Sequence, residues 1–159
     1  MAKKSKVTEF TDDPVSNQIT KKYGAIVESG SAVLASLENF KTIGISPALD
    51  IALGGGLREG SCVVMTGDPK TGKTTTALYF AAKAQKEGKN VIYFNTEGRL
   101  TKENFRGIKG LDIDAIKIVQ ATDKEPLVSA EKYLNSLETY IKNTPDLVAI
   151  IDSTSSMVP

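Results

Sequence analysis

Eight consecutive residues, Gly67-Asp68-Pro69-Lys70-Thr71-Gly72-Lys73-Thr74, follow the pattern G-x-x-x-x-G-K-[ST]. The residue types suit an anion. Glycines let successive backbone N–H groups turn inward where side chains would collide. A helix starting there adds the positive end of its dipole. Lys73 is a point charge long enough to reach the β- and γ-phosphates of a bound nucleotide, and the Thr74 hydroxyl is a candidate ligand for Mg²⁺. An apolar run precedes the motif and an Ala-rich helical pattern follows it, so the anion expected is a nucleotide triphosphate.

Two carboxylates have the spacing to complete such a site. Asp152 ends "LVAIID", at the carboxyl end of a predicted strand, where open α/β sheets bind their ligands. It is the second candidate for holding Mg²⁺. Glu97 ends "NVIYFNTE", the strand after the loop helix, and can activate a water for in-line attack on a γ-phosphate. A cradle, a metal-holding acid and a water-activating acid together describe an NTPase, with Glu97 and Lys73 as its catalytic candidates.

The elements that must position these residues are legible around them. "CVVMT" reads as a buried strand before the loop, followed by a helix from about Gly72 to Lys86. "NVIYFNTE", "AIKIVQA" and "LVAIID" read as three further strands, with a short helix at "TKENFRGI". A longer helix from about Glu125 to Lys142 carries Leu127, Ala130, Leu134, Leu137 and Ile141 on one face. Continuous apolar strands alternating with helices predict a parallel sheet covered on both faces. Upstream, Met1 to about Asp12 reads as a polar tail. Asp13-Pro14 reads as a helix start, with Ile19, Tyr23 and Ile26 at helical spacing. Val33, Leu34 and Leu37 suggest a second short helix. Gly54 to Gly56 mark a turn with close backbone approach.

Composition narrows the classes. The 159 residues suffice for one α/β domain, and 20 Lys+Arg against 19 Asp+Glu leave a net charge of +1. No global field attracts nucleic acid, so such a contact needs a local patch. Arg99, Lys102, Arg106 and Lys109, three or four apart, read as a solvated helical face. The absence of histidine excludes His-based catalysis and His-ligated zinc. The single cysteine, Cys62, reads as a small core residue in a reducing compartment. No run is long enough for a membrane span and "MAKKSK" leads into no signal-peptide core, so a cytoplasmic protein with no membrane partner is expected.

The segments "ISPALDIALGGGLREG", "GDPKTGKTT", "NVIYFNTEG" and "LVAIIDSTSSMVP" resemble, in order and spacing, the RecA/UvsX family of recombinases. "NTEGRLTKENFRGIKGLD" is most similar to phage UvsX-type members. The resemblance covers about Ile43 to Pro159. It implies an α/β fold of the phosphate-loop NTPase class: a RecA-like parallel sheet flanked by helices, truncated after the Walker B strand, with a small helical N-terminal segment.

It also implies a division into residues 1–40, an N-terminal tail and oligomerisation-type helical segment, and 41–159, a partial ATPase core. Gly67, Asp68, Pro69, Lys70, Thr71, Gly72, Lys73, Thr74 and Thr75 match the family's phosphate loop. Glu97 matches its catalytic glutamate, and Asp152, followed by Ser153, its Walker B aspartate. ATP and Mg²⁺ are the cofactors so implied. Single-stranded DNA and neighbouring copies in a filament are the partners, bound largely through regions downstream of Pro159. Where the family often stacks adenine on an aromatic residue, Asn104 occupies the aligned position and Phe105 follows it. The glycine triplet and loop are shared with RadA-, KaiC- and DnaB-type ATPases, which act as motors or switches. A non-catalytic nucleotide-binding fragment is the third reading.

Overall fold

The computed structural model describes residues 13–38 and 40–158. The polar tail expected over 1–12 and the side chain of Leu37 lie outside the described residues. The chain divides into two compact units, Met1–Lys41 and Thr42–Pro159.

The first unit contains helices α1 (Pro14–Tyr23) and α2 (Gly30–Glu38). Asp13 caps α1 by accepting the Ser16 N–H at 3.0 Å, and Pro14 opens the helix, where its missing N–H is no loss. Gly24, at φ 88°, ends α1 one residue after Tyr23. Ile26, expected on the same helix, therefore lies outside it and is exposed.

The second unit begins with a two-strand antiparallel pair, β1 (Thr42–Ile43) against β2 (Leu57–Arg58), enclosing helix α3 (Pro47–Ala52). Ser46 caps α3, and the Asp50 carboxylate accepts the Ile45 N–H at 2.7 Å. Of the three consecutive glycines, Gly56 is fixed by contact. A Cβ there would stand 2.4 Å from the Ile43 carbonyl oxygen, and φ is +124°.

The remaining elements are α4 (Lys73–Lys86), β3 (Asn90–Asn95), α5 (Lys102–Arg106), β4 (Lys117–Val119), α6 (Ala130–Asn143) and β5 (Leu147–Asp152). The three strands form a parallel sheet in the order β4-β3-β5, with helices on its faces. This is the α/β architecture expected.

Alternation along β3 divides the core. Val91 and Tyr93 pack with Leu78, Ala81, Ala82 and Ala84 of α4, joined by Val148 and Ile150 of β5. Ile92 and Phe94 face the other way, against Tyr133, Leu137 and Tyr140 of α6, with Phe94 and Tyr133 edge to face at 6.3 Å. The largest fully buried side chains are Leu78, Val91, Ile92, Tyr93 and Phe94. Burial of an apolar side chain of this size contributes about 1.5–3 kcal/mol, so β3 is the centre of the fold.

Several expectations are corrected. Cys62–Thr66 is not a buried strand: none of its backbone groups hydrogen-bonds to another described residue, and Val63, Val64, Met65 and Cys62 are exposed. An apolar run becomes a strand only where a ladder accepts it, and β5 pairs with β3 alone, so the sheet has three described strands where four were expected. Cys62 is accordingly an exposed thiol and not a core residue.

The long helix starts at Ala130 and not near Glu125, because Ser129 takes the cap position and accepts the Lys132 N–H. Residues Thr122 and Glu125 instead form a bridged turn. The buried stripe of α6 is also rotated from the one expected. Leu137 packs on the sheet as expected, joined by Tyr133 and Tyr140, while Leu127, Leu134 and Ile141 are exposed.

Candidate functional site

The loop leading into α4 owes its path to residues in left-handed or glycine-only conformations: Gly67 at φ 155°, Lys70 at 65° and Gly72 at 90°. Nothing lies within 4 Å of a Cβ built on Gly72, so the positive φ alone constrains this position. No side chain caps α4 at Gly72, which leaves the amides of its first turn directed outward at the positive end of the helix. The Lys73 ammonium donates to the Gly67 and Asp68 carbonyls, each at 2.8 Å, and so spans the loop it follows. Thr71 Oγ1 donates to the Asp68 carbonyl at 2.8 Å, closing the turn that contains Pro69.

At the carboxyl ends of β3 and β5 the sheet brings the acidic residues to this loop. The register pairs Asn95 with Asp152 and Tyr93 with Ile150. Val148, Ile150 and Asp152 form one row on the α4 face, and Asp152 extends that row beyond the apolar core to the start of α4. There its Oδ2 accepts from Thr74 Oγ1 at 2.7 Å and from the Tyr93 hydroxyl at 2.6 Å. Burial first, then the bond to Asp152, pushes the Tyr93 hydroxyl well above the ordinary tyrosine range, so it is a fixed donor.

Glu97 lies in the turn after β3. Its backbone N–H and that of Thr96 both reach the Asp152 carbonyl, at 3.3 and 3.0 Å. Ser153 Oγ donates to Glu97 Oε1 at 2.8 Å, and Thr96 Oγ1 donates to the Ser153 carbonyl at 2.6 Å. Arg99 stands 3.6 Å from the other Glu97 oxygen, Oε2. The two acidic residues are thus joined through a web of side-chain and backbone bonds between the strand ends.

The structure therefore brings together Gly67, Asp68, Lys73, Thr74, Asp152 and Glu97 at one end of α4. Two of these relations use residues that the sequence did not single out. Tyr93 looked like one more apolar strand residue, and its only sequence signal is a hydroxyl in the middle of a run otherwise fit for a core. Thr96 carried none. The basic set is dispersed: α5 covers only Lys102–Arg106, so Arg99 sits beside Glu97 while Lys109 lies beyond the helix. Phe105 packs against the core on the α4 side, which accounts for its ring without a ligand.

A hollow of about 880 Å³ lies at the other end of α4, lined by Tyr79, Lys83, Lys86, Lys109 and Asp112 among others. Its nearest α4 residue, Tyr79, stands six residues from Lys73, roughly 9 Å along the helix at about 1.5 Å per residue. It contains none of the groups just described.

Chemically, the loop end of α4 offers the uncapped amides of its first turn, one ammonium, and a hydroxyl and carboxylate held together. Among the described residues no cluster of three or more Asp, Glu or Cys side chains could hold a metal by itself. The donor set suits a cation that brings most of its own oxygens, from water or phosphate, as Mg²⁺ does. With its O–H directed at Asp152 Oδ2, Thr74 Oγ1 has only lone pairs left to present.

A parallel sheet with a glycine loop entering a helix, and acidic residues at the strand ends, defines the phosphate-loop α/β class. The model of the RecA N-terminal domain matches residues 13–159, and the chain belongs to that family. It is 34% identical over 145 residues to Protein RecA of Arthrobacter sp. (strain FB24), covering 89% of this chain and 39% of that protein. It is 32% identical over 150 residues to Protein RecA of Clostridium acetobutylicum, covering 92% and 40%. With Protein RecA of Rippkaea orientalis the figure is 30% over 147 residues, covering 91% and 40%. The chain spans about two fifths of the length of these relatives.

Proposed function

We propose that this chain is the nucleotide-binding part of an ATPase of homologous recombination and DNA repair, one that assembles with copies of itself on single-stranded DNA for strand exchange. Membership of the RecA family supports the class. The similarity of "NTEGRLTKENFRGIKGLD" to phage UvsX-type members supports a member of that kind, working in the cytoplasm of a bacterium or of a phage-infected host. Residues 1–40 would serve contact between copies, and residues 41–159 the nucleotide.

In this reading the backbone N–H groups of Gly67 to Thr75, Pro69 excepted, and the Lys73 ammonium hold the phosphates of ATP. Thr74 and Asp152 hold Mg²⁺, which when bound neutralises charge on the β- and γ-phosphates. Glu97, oriented by Ser153, accepts a hydrogen bond from the water that attacks. The observation that carries the reading is the 2.7 Å bond between Thr74 Oγ1 and Asp152 Oδ2. It joins the loop helix to a strand end, which supports Mg²⁺ held between the two.

The test is the affinity of the chain for a fluorescent ATP analogue with Mg²⁺, compared with that of Lys73→Ala. Loss of at least tenfold is expected, because the variant removes the loop's ammonium, while this half-buried side chain belongs to neither core cluster. Equal affinity would overturn the assignment.

A further inference from the structure

We propose that Tyr93 is a positioning residue for the cation end of this site: its hydroxyl fixes one carboxylate oxygen of Asp152 so that the other faces the cation's water shell. The inference rests on the reading of Asp152 given above and concerns a residue one strand away.

Tyr93 is completely buried among Leu78, Ala81, Val91 and Ile150, where a phenylalanine would fill almost the same space. A hydroxyl in such surroundings is unfavourable unless it is hydrogen-bonded. Among the described residues its partner is Asp152 Oδ2 at 2.6 Å. Thr74 Oγ1 donates to the same oxygen at 2.7 Å. A carboxylate oxygen has about two lone-pair directions, so these two donors fill Oδ2 and leave the accepting capacity on Oδ1. No other side-chain hydrogen bond restrains the Asp152 carboxylate among the described residues. Its terminal torsion is intrinsically broad. Thr74 belongs to the loop end of α4 and would itself meet the cation. Tyr93, held by the core, is the partner whose position does not depend on the ligand. Its hydroxyl therefore sets the plane of the carboxylate before a cation arrives.

The experiment measures affinity for fluorescent ADP by the chain, with EDTA and with Mn²⁺, in wild type, Tyr93→Phe and Asp152→Asn. The quantity read is the ratio of the two affinities. Tyr93→Phe should reduce that ratio about tenfold, as loss of an outer-sphere partner typically does. Asp152→Asn should remove most of it. A full ratio in Tyr93→Phe beside a lost one in Asp152→Asn overturns the proposal and leaves the reading of Asp152 standing. A full ratio in Asp152→Asn overturns both. Thermal unfolding of each variant separates these outcomes from loss of fold. If Tyr93→Phe does not fold, wild type labelled with ¹³C at the tyrosine ζ-carbon gives the answer. Mn²⁺ with ADP should broaden one tyrosine resonance strongly, and the absence of any such broadening overturns the proposal.

Discussion

Thr74 and Asp152 are 78 residues apart in sequence, and their side chains meet at 2.7 Å between the first turn of α4 and the last residue of β5. The contact exists because Asp152 continues the row of Val148 and Ile150, which pack on α4, one step past the end of the core. Thr74→Val keeps the side-chain shape and removes the hydroxyl. It should lower Mg²⁺-supported nucleotide affinity by about 10–100-fold, the range seen when a partner of a bound metal is lost. Thr74→Ser should stay close to wild type. Titration with a fluorescent nucleotide at fixed Mg²⁺ reads both.

Glu97 accepts from Ser153 Oγ at 2.8 Å and has Arg99 beside its second oxygen. In a complete protein containing this segment, Glu97→Gln should retain ATP and lower turnover by about 10²–10⁴-fold, because the amide keeps the shape and loses the basic oxygen. Ser153→Ala should lower turnover less, as the carboxylate remains and only its orientation relaxes. Steady-state hydrolysis compared with nucleotide affinity distinguishes the two effects. Unchanged turnover in Glu97→Gln would reduce Glu97 to a structural role.

Gly56→Ala should destabilise the second unit by about 1–3 kcal/mol through strain at a positive φ, with the backbone clash at Ile43 adding to it. Gly88→Ala makes the comparison: φ is +78° but nothing lies within 4 Å of its Cβ, so only the conformational strain applies. Urea unfolding of both variants should rank Gly56→Ala as the more damaging.

Lys89 donates to Asp146 and also pairs with Glu59, both at 2.8 Å. The bond to Asp146 first, then that to Glu59, raises its pKa above the ordinary 10.5. A group whose pKa rises on folding adds stability that is complete below its unfolded pKa and is lost as pH climbs through the folded one. The melting temperature of wild type should therefore exceed that of Lys89→Met at neutral pH. The gap should close only at pH values above the usual lysine range. A gap that closes between pH 6 and 8 would contradict this account.

The positions of the loop before α4, of Asp152 at the end of β5 and of Glu97 after β3 were legible in the sequence, because the pattern fixes residue types at set spacing. The strands β3 and β5 were legible because their apolar runs are continuous. Cys62–Thr66 has the same kind of run and forms no strand, since pairing depends on a partner ladder that composition does not reveal. The stripe on α6 failed for a related reason. Leu127, Leu134, Leu137 and Ile141 offered a good helical face, but of these the sheet accepts Leu137 together with Tyr133 and Tyr140, in the cluster built around Ile92 and Phe94. Tyr93 was invisible because β propensity counts its ring, and only the β3–β5 register shows what its hydroxyl reaches.

The central claim is that nucleotide and metal meet at the loop end of α4. Amide NMR of the ¹⁵N-labelled chain, titrated with Mg²⁺ and a slowly hydrolysed ATP analogue, tests it most directly. The account predicts the largest shifts at Gly67, Gly72, Lys73, Thr74 and Thr75, with smaller ones at Glu97 and Asp152. The hollow lined by Lys83, Lys86 and Lys109 should stay unperturbed. Shifts centred on that hollow, with the loop amides unmoved, would contradict it.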